Sequence, residues 1–397
     1  MMECLERQRI ARMLHDVPRP AVPGQGHQMF GMSDFRRLPY AAPLYAALDL
    51  GTHNCRLMVA APAGRGFRVI DSFSRVVRLG EGLHHTGRLG QDAMARTADA
   101  LRACALRMRR AGLKKYTAIA TEACRRAENG LAFLDGIRDE TGLSISIISA
   151  REEAELALTS CASLLHDGRF SPLRERALLF DIGGGSTEIA WVRTDHARAR
   201  QSLIGYLSLP MGVITISEQL GDSAFTPGGY RHMVAMVRAQ LEAFEDVHCI
   251  RREIACGNVV LMGTSGTVTT LASVALGQVR YDRSMIDGAT LSMTQALKVI
   301  RRLNGMDRAG LSGHVGIGPD RARYIMAGCA IFEAIQQAWQ VPEVVVADRG
   351  LRDGMLLRMI DRSSRIALQP VPSSFSPVRH KLRPTNGPLH ETTTSRP

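Results

Sequence analysis

The chain has 397 residues, of which 45% are hydrophobic and 22% charged, and its formal net charge is +12 at pH 7. This length suits two or three domains, each able to bury a core of its own. The sequence contains neither a run of about 20 apolar residues that would span a membrane nor a recognisable signal peptide. We therefore expect a cytoplasmic protein that does not bind a membrane.

The basic charge has the sign that attracts nucleic acids and other polyanions. A nucleic-acid partner is not expected, because the sequence contains no recognisable nucleic-acid-binding module and its aromatic content of 5% is too low for a stacking platform. A phosphate-rich small or linear substrate explains the same charge. The eight cysteines include no Cys-x-x-Cys pair, so neither a disulfide framework nor a zinc site is indicated.

The two ends of the chain differ from its middle. Residues 1–43 include "PRPAVPGQGHQ", which cannot form a regular element, and residues 363–397 are rich in Pro, Ser and Thr. We interpret both as disordered tails. Between them we predict two domains, at 44–170 and 171–362, while hydrophobic periodicity leaves open whether the last helix of the second domain packs on the first.

The first domain opens with "YAALDLGTHNCRLMVA", in which Asp49 and Gly51 separate two apolar runs. This pattern predicts two strands joined by a tight hairpin, with a third strand in "FRVIDSFSRVVRLG". A helix, the buried strand "KKYTAIAT", a helix ending at Gly142 and the strand "LSISIIS" follow. The next helix begins at "SAREEAELA", where Ser149 and Glu152 have the spacing of a capping box.

The second domain opens with the same order of residues in "ALLFDIGGGSTEIAWV". A row of backbone N–H groups at its glycine bend would form a concave anion site. Asp181 and Glu188 flank this bend, and carboxylates beside a bound phosphate repel it unless a cation lies between them. Mg²⁺, with Mn²⁺ as the alternative, meets this requirement with oxygen ligands. Taken alone, the segment could also be a simple glycine hairpin.

The remainder of the second domain alternates helices and strands. We predict helices near 229–246, 293–303 and 320–339, the strand "EVVVAD" and a last helix in "LRDGMLLRMI". The stretch "GTSGT" is a helix-start loop but not a P-loop, since no Lys-Ser/Thr pair follows its last glycine. Because the hairpin unit occurs twice, the sequence predicts an α/β fold of two similar halves with mixed sheets and a central cleft.

Two side chains outside the loops are candidates for the chemistry. With Glu152 held in the capping box, Glu153 in the same first helical turn is free to orient a water, although a solvated acidic helix face gives the same pattern. Arg56 lies seven positions after Asp49 and offers a forked donor to phosphate oxygens, although an exposed strand arginine is equally consistent.

These residues resemble the exopolyphosphatase/guanosine pentaphosphatase (Ppx/GppA) phosphatase family, within the actin, sugar-kinase and Hsp70 superfold. The resemblance covers roughly residues 44–360. Its motifs, in the order of the family, are "DLGTHNCRL", "RLGEGLHHTGRL", "ATEACRRAENG", "ISAREEAEL", "FDIGGGSTEIAWV", "SLPMGVI", "GTSGTVTTLA" and "DRGLRDGML". It implies two duplicated actin-like (ribonuclease-H-like) domains with mixed β-sheets flanking a central cleft.

The resemblance also implies roles for individual residues. Glu153 matches the catalytic glutamate, and Arg125 and Asn129 match a turn of the family that follows the second strand layer. Arg352 is a candidate nucleotide-contacting arginine, and a contact from His53 stays open because many relatives have Ser or Asn there. The metal ligands would be Asp49, Asp181 and Glu188. The substrate phosphates would be bound by Gly51, Thr52, Asn54, Arg56, Gly183, Gly184, Gly185, Ser186 and Thr187.

The leading hypothesis is a metal-dependent exopolyphosphatase that releases terminal orthophosphate from inorganic polyphosphate by attack of water. The close competitor is hydrolysis of the 5′ terminal phosphate of guanosine pentaphosphate. Two further hypotheses are an ATP-dependent kinase of the same superfold and a non-catalytic polyphosphate or nucleotide sensor. The only protein partner we consider is a second copy of the chain in a homodimer.

Overall fold

The computed structural model describes residues 42–365 except 65 and 171–173, and of residues 362–365 it describes the helical backbone only. Nearly all of the two predicted tails lies outside these residues. Within the described part, the elements form two mixed sheets with helices packed on their faces.

The first sheet has five strands in the order β3-β2-β1-β4-β5. Strand β1 is antiparallel to β2 and parallel to β4. The strands are β1 (Tyr45–Leu50), β2 (Asn54–Ala63), β3 (Gly66–Val76), β4 (Lys115–Ala120) and β5 (Ser146–Ile147). The helices of this half are α1 (Leu83–Thr86), α2 (Gln91–Ala111), α3 (Glu122–Arg126), α4 (Gly130–Thr141) and α5 (Ala150–Leu165).

Two predicted helix ends of this half are confirmed. Helix α4 ends at Gly142, whose φ of 76° lies in the left-handed region that glycine adopts without strain. Helix α5 begins with the predicted capping box: the Glu152 N–H donates to Ser149 Oγ at 3.2 Å, and the Ser149 N–H donates to Glu152 Oε2 at 2.8 Å. The strand predicted in "LSISIIS" is shorter than expected, since only Ser146–Ile147 pair with β4.

The second sheet has six strands in the order β10-β11-β9-β6-β7-β8. They are β6 (Arg176–Ile182), β7 (Thr187–Asp195), β8 (Arg200–Leu209), β9 (Val259–Thr264), β10 (Ala289–Ser292) and β11 (Glu343–Ala347). The helices are α6 (Val213–Leu220), α7 (Pro227–His248), α8 (Ile250–Ala255), α9 (Ser265–Ala275), α10 (Arg283–Ile286), α11 (Met293–Asn304), α12 (Arg308–Gly313), α13 (Gly318–Ala322), α14 (Ile325–Ala338) and α15 (Leu351–Arg365). In the described residues no helix has both the length and the apolarity to cross a membrane.

The two sheets repeat one arrangement. In each half, an antiparallel three-stranded meander is followed by strands added in parallel beside its first member: β4 and β5 join β1, and β9 and β11 join β6. The predicted α/β fold of two similar halves with mixed sheets is therefore confirmed.

A shared apolar layer joins the halves. Helices α5 and α15 contribute Leu158, Leu165 and Leu356 to a core cluster that also contains Ala47 from β1 and Leu179 from β6. Each half also has one further core cluster of its own. The last helix thus packs on α5 and on β1 of the first half, although the chain enters it from β11 of the second.

The helix predicted over 320–339 is interrupted. Helix α13 ends at Ala322 and α14 starts at Ile325, and Tyr324 between them has a φ of −121° that is incompatible with continuous helix. The Tyr324 ring packs against His53 from the first half instead. Hydrophobic periodicity spans both helices, so the sequence pattern alone does not locate this break.

Candidate active site

Loop 1 is the bend between β1 and β2. The Gly51 N–H donates to the Asn54 carbonyl oxygen at 2.9 Å and closes the hairpin. The carbonyl oxygens of Thr52 and His53 accept hydrogen bonds of 2.9 to 3.0 Å from backbone N–H groups in the segment 77–80. In a trans peptide the N–H points opposite the carbonyl. The N–H groups of His53 and Asn54 therefore point away from that segment.

Loop 2 is the corresponding bend between β6 and β7. It closes with the same hydrogen bond, from the Gly183 N–H to the Ser186 carbonyl oxygen at 2.9 Å. The carbonyl oxygens of the three glycines accept hydrogen bonds of 2.8 to 3.0 Å from residues 213–215 at the start of α6. The N–H groups of Gly184, Gly185 and Ser186 therefore all point away from α6. Such a row of amides is a concave anion site.

The two loops touch each other. A Cβ atom on Gly185 would lie 2.5 Å from Oγ1 of Thr52, and one on Gly184 would lie 3.4 Å from Cβ of His53. Position 185 can therefore hold only glycine unless Thr52 shifts. A cavity of about 20 Å³, room for about one water, lies beside this contact and is lined by Thr52, Gly80, Glu122, Arg126, Gly185 and Thr215.

Each loop has an acid at the end of its first strand. Asp49 lies opposite Arg56 in the β1–β2 register, and Asp181 lies opposite Glu188 in the β6–β7 register. Burial raises the pKa of Asp49, and the charges of Arg56 and Arg352 oppose that rise. Arg352 reaches this site from α15, where its guanidinium donates to the Leu57 carbonyl oxygen at 3.5 Å.

The acids of loop 2 carry no such cationic neighbour in register. Burial raises the pKa of Asp181 to about 6, against a hydrogen bond from Ser265 and with a further rise from Asp49. Burial and the charge of Asp181 raise the pKa of Glu188 to about 7. Glu188 is 4% exposed and accepts hydrogen bonds from the hydroxyls of Ser186 at 2.6 Å and Ser208 at 3.0 Å.

Glu153 lies with this cluster rather than on a solvated face. It is 8% exposed, and Arg125 donates to its Oε2 at 3.1 Å. Arg125 also donates to Glu122 and to the Ile148 carbonyl oxygen at 2.8 Å, which fixes its guanidinium in place. Burial and the charge of Glu188 raise the pKa of Glu153 well above its ordinary value, against the charge of Arg125. The alternative of a solvated acidic helix face is therefore excluded for Glu153.

The donor chemistry of the cluster fits a hard divalent cation. Asp49, Asp181 and Glu188 offer carboxylate oxygens only, and burial raises the pKa of each of them against the opposing charges of nearby arginines. Within the described ranges, no three His, Cys, Asp or Glu side chains are close enough to hold a metal ion by themselves. Mg²⁺ commonly keeps several waters and uses one or two carboxylates with substrate phosphates, so the residues fit that ion.

Several predicted contacts differ in detail. The Ser186 hydroxyl donates to Glu188, and the Thr187 hydroxyl donates to the Met211 carbonyl oxygen at 2.7 Å, so neither hydroxyl is free for a phosphate in this arrangement. Asn129 is a bracing residue that accepts from the Leu89 N–H at 2.8 Å and donates back to the Leu89 carbonyl oxygen. In loop 2, the backbone amides are therefore left as the phosphate donors.

Sequence reasoning missed the residues that aim the loops. Gly80 and Gly212 lie where the bracing segments approach: a Cβ on Gly80 would lie 2.3 Å from Thr52 Cγ2, and one on Gly212 would lie 2.3 Å from the Gly184 carbonyl oxygen. Each follows the third strand of its half in "RLGEG" and "LPMGV". That parallel was the signal available in the sequence.

Comparison with known proteins places this architecture in one family. The model of the Ppx/GppA phosphatase family matches residues 58–363. The chain is 28% identical over 320 residues to a guanosine-5′-triphosphate,3′-diphosphate pyrophosphatase of Aeromonas salmonicida, and 26% identical over 321 residues to one of Photobacterium profundum. These alignments cover 80% and 81% of this chain. The chain spans 60% of the length of each relative.

Solved structures agree in fold. An exopolyphosphatase-like protein is 26% identical with a TM-score of 0.70, over 80% of this chain and 97% of its own. The Aquifex aeolicus member of the Ppx/GppA family, at 24% identity, has a TM-score of 0.66 over 81% of this chain and 98% of its own. With the family model covering most of the described residues, the chain belongs to the Ppx/GppA phosphatase family.

Proposed function

We propose that the protein is a metal-dependent phosphoanhydride hydrolase that releases terminal orthophosphate from inorganic polyphosphate by attack of water. The observation that carries this proposal is the position of Glu153. Its buried carboxylate is held by Arg125 and lies within electrostatic reach of Glu188 and Asp181, beside two amide-lined loops. A desolvated carboxylate of raised pKa suits a general base for water.

The loops would bind the terminal phosphoanhydride. The loop amides, which point away from residues 77–80 and from the start of α6, would donate to phosphate oxygens. Arg56 would add a positively charged guanidinium donor. Phosphoryl transfer requires mainly this alignment and charge neutralisation. Glu153 then orients and deprotonates a water, and Arg125 holds the carboxylate in place. Mg²⁺ held by Asp181 and Glu188, with Asp49 or its waters, would neutralise phosphate charge when bound.

Hydrolysis of guanosine pentaphosphate is the second candidate. It is supported by the relatives of Aeromonas salmonicida and Photobacterium profundum, which are named guanosine-5′-triphosphate,3′-diphosphate pyrophosphatases. Both reactions break a terminal phosphoanhydride bond, so the same loops and the same Glu153 would serve either one. Preference between them depends on contacts beyond the terminal phosphate.

Phosphate release tests the proposal directly. Rates are measured on tripolyphosphate, long-chain polyphosphate and guanosine pentaphosphate, with Mg²⁺, with Mn²⁺ and with EDTA. We expect Mg²⁺-dependent release that is fastest on polyphosphate. If all three substrates stay intact with either metal, the hydrolase assignment is wrong, and phosphorylation of an added acceptor by ATP would then identify a kinase.

The role of Glu153 is tested in the same assay. Glu153→Gln should lower kcat by about 10²- to 10⁴-fold, because it removes the base while keeping the size of the side chain. Glu155→Gln on the same helix is the matched control, because Glu155 pairs with Arg151 at the surface, and it should stay within about twofold of the wild type. A Glu153→Gln protein with near-normal turnover would contradict the assigned role.

A further inference from the structure

The break between α13 and α14 brings the second half against loop 1. The rings of His53 and Tyr324 meet edge to face, with centroids 5.2 Å apart and planes at 77°. The guanidinium of Arg323 lies 5.8 Å from the centroid of the same tyrosine ring. His53 also adjoins loop 2, since a Cβ placed on Gly184 would lie 3.4 Å from the Cβ of His53. This group of side chains borders both phosphate loops.

Two polar atoms in this group are shielded from solvent and lack a partner in the described part of the chain. They are Nδ1 of His53 and Nε of Arg78. Shielded polar atoms without a hydrogen bond are uncommon in folded proteins, because losing water without compensation is costly. Arg78 is also held at a φ of 49°, where its N–H donates to the His53 carbonyl oxygen at 3.0 Å. Strain of this kind concentrates at ligand sites.

The charges around His53 are mainly positive. Arg78, Arg56 and Arg323 act on it, with Asp320 as the opposing acid. Burial and the arginines lower the pKa of His53 to about 4, so its ring is neutral at pH 7 and can donate or accept. Arg56, Arg78 and Arg323 form no salt bridge with another described residue.

The two acids whose charges act on Tyr324 both have partners. They are Glu218 and Glu81. Glu81 pairs with Arg96 at 2.8 Å, and Glu218 accepts from the Gly82 N–H at 3.5 Å. The remaining excess of guanidinium groups matches a ligand that carries several negative charges and several acceptor oxygens.

We propose that His53, Arg78 and Arg323, with the Tyr324 ring packed behind His53, bind an internal phosphate group of a polyphosphate chain whose terminal phosphate lies at the two loops. The proposal rests on the proposed function and names its substrate class more closely. A phosphate group is favoured over a nucleobase because the unsatisfied groups can all donate hydrogen bonds and lie on cationic or neutral side chains. Internal phosphates extend beyond a terminal one, so the affinity contributed by this site would depend on chain length.

Binding measurements test the site without requiring turnover. Calorimetry gives the Kd of pyrophosphate, which has no internal phosphate, of long-chain polyphosphate and of guanosine pentaphosphate for the wild type, Arg323→Ala and His53→Ala. The matched control is Arg301→Ala, an exposed arginine on α11. We expect the wild type to bind the long chain more tightly than pyrophosphate. Each site variant should weaken long-chain binding about tenfold, a typical loss for one charge-assisted hydrogen bond, and pyrophosphate binding less than threefold.

Three results would overturn the inference. One is equal wild-type affinity for the short and the long chain. Another is an equal loss of affinity for the short and the long chain in Arg323→Ala and His53→Ala. The third is a loss confined to guanosine pentaphosphate, which would mean that the site reads the nucleotide. A chain-length preference that the variants abolish, in a protein that releases no phosphate, would support the site while rejecting the hydrolase function.

Discussion

The two loops share a backbone arrangement and differ in charge. Each closes with the same hydrogen bond and has its carbonyl oxygens held by a segment after the third strand. Opposite the strand-end acid, however, loop 1 has Arg56 where loop 2 has Glu188. The two halves thus share the amide row while their side chains differ. Both loops offer amides to an anion, loop 1 adds a guanidinium and loop 2 adds a second carboxylate, and a metal-bound phosphate suits both kinds of group.

The segments that hold the loops provide the largest test of this comparison. A Cβ on Gly212 would meet backbone atoms of loop 2, whereas a Cβ on Gly80 would meet the Thr52 methyl group. Gly212→Ala should therefore lower the free energy of unfolding by about 3 kcal/mol and Gly80→Ala by about 1 kcal/mol, as overpacking does. Denaturant unfolding measures both.

Thr52→Ser is an internal control for Gly80→Ala and Gly212→Ala. Thr52→Ser removes the methyl group that Gly80→Ala would meet, so the double variant should recover most of the stability lost. Thr52→Ser should not rescue Gly212→Ala, because the obstacle there is the Gly184 carbonyl oxygen. Equal costs for the two glycine variants would mean that the loops are not braced in these different ways.

Substitutions of Glu188 and Arg56 test whether the proposed cation and anion binding are separate. Glu188→Gln should raise the Mg²⁺ concentration for half-maximal activity about tenfold or more, because it removes a carboxylate ligand. Arg56→Gln should raise KM about tenfold with little change in the Mg²⁺ requirement, because it removes a charged donor to phosphate. Both follow from phosphate-release titrations of metal and substrate. A shared phenotype would contradict the division of labour between the loops.

The loops should also respond oppositely to pH when EDTA is present. Glu188 has a folded pKa of about 7, above its usual value, so the folded state binds the extra proton and stability rises as pH falls from 8 towards 6.5. Burial likewise raises the pKa of Asp181 to about 6, so the gain continues as pH falls below 6.5. His53 has a folded pKa of about 4, below its usual value, so its own contribution is lost as pH falls from 6.5 towards 4 and offsets part of that gain. The loss of stability from pH 6.5 to 8 should amount to about 1 kcal/mol.

Single substitutions separate the two contributions. In thermal unfolding across pH 5 to 8, Glu188→Gln should reduce the loss of stability above pH 6.5, and His53→Asn should make stability rise more steeply as pH falls from 6.5 to 5. Addition of Mg²⁺ should reduce the alkaline loss of the wild type, because bound metal replaces the proton. A pH dependence that neither substitution changes would show that other groups set it.

Much of the fold could be predicted because its signals are local. The hairpins at Asp49 and Asp181, the capping box of Glu152 and the stop at Gly142 each depend on a few neighbouring residues. The break at Tyr324 could not, since it depends on a ring packed against the other half of the chain.

The site divides in the same way. Motif order indicated Glu153 and the loop acids, but the pattern around Glu153 equally fitted a solvated helix face. Only tertiary packing shows that Glu153 is buried and held by Arg125. The engagement of the Ser186 and Thr187 hydroxyls is likewise set by partners 2 and 24 residues away, which a motif does not reveal.

The apolar layer formed by α5 and α15 limits how the halves can separate. This layer contacts both sheets through buried side chains, while the loops meet through small groups around Thr52 and Gly185. Parting the loops exposes little apolar surface, whereas parting the layer would expose much. The two halves are therefore held together mainly at this layer, and the contact between the loops is the part of their interface that costs least to open.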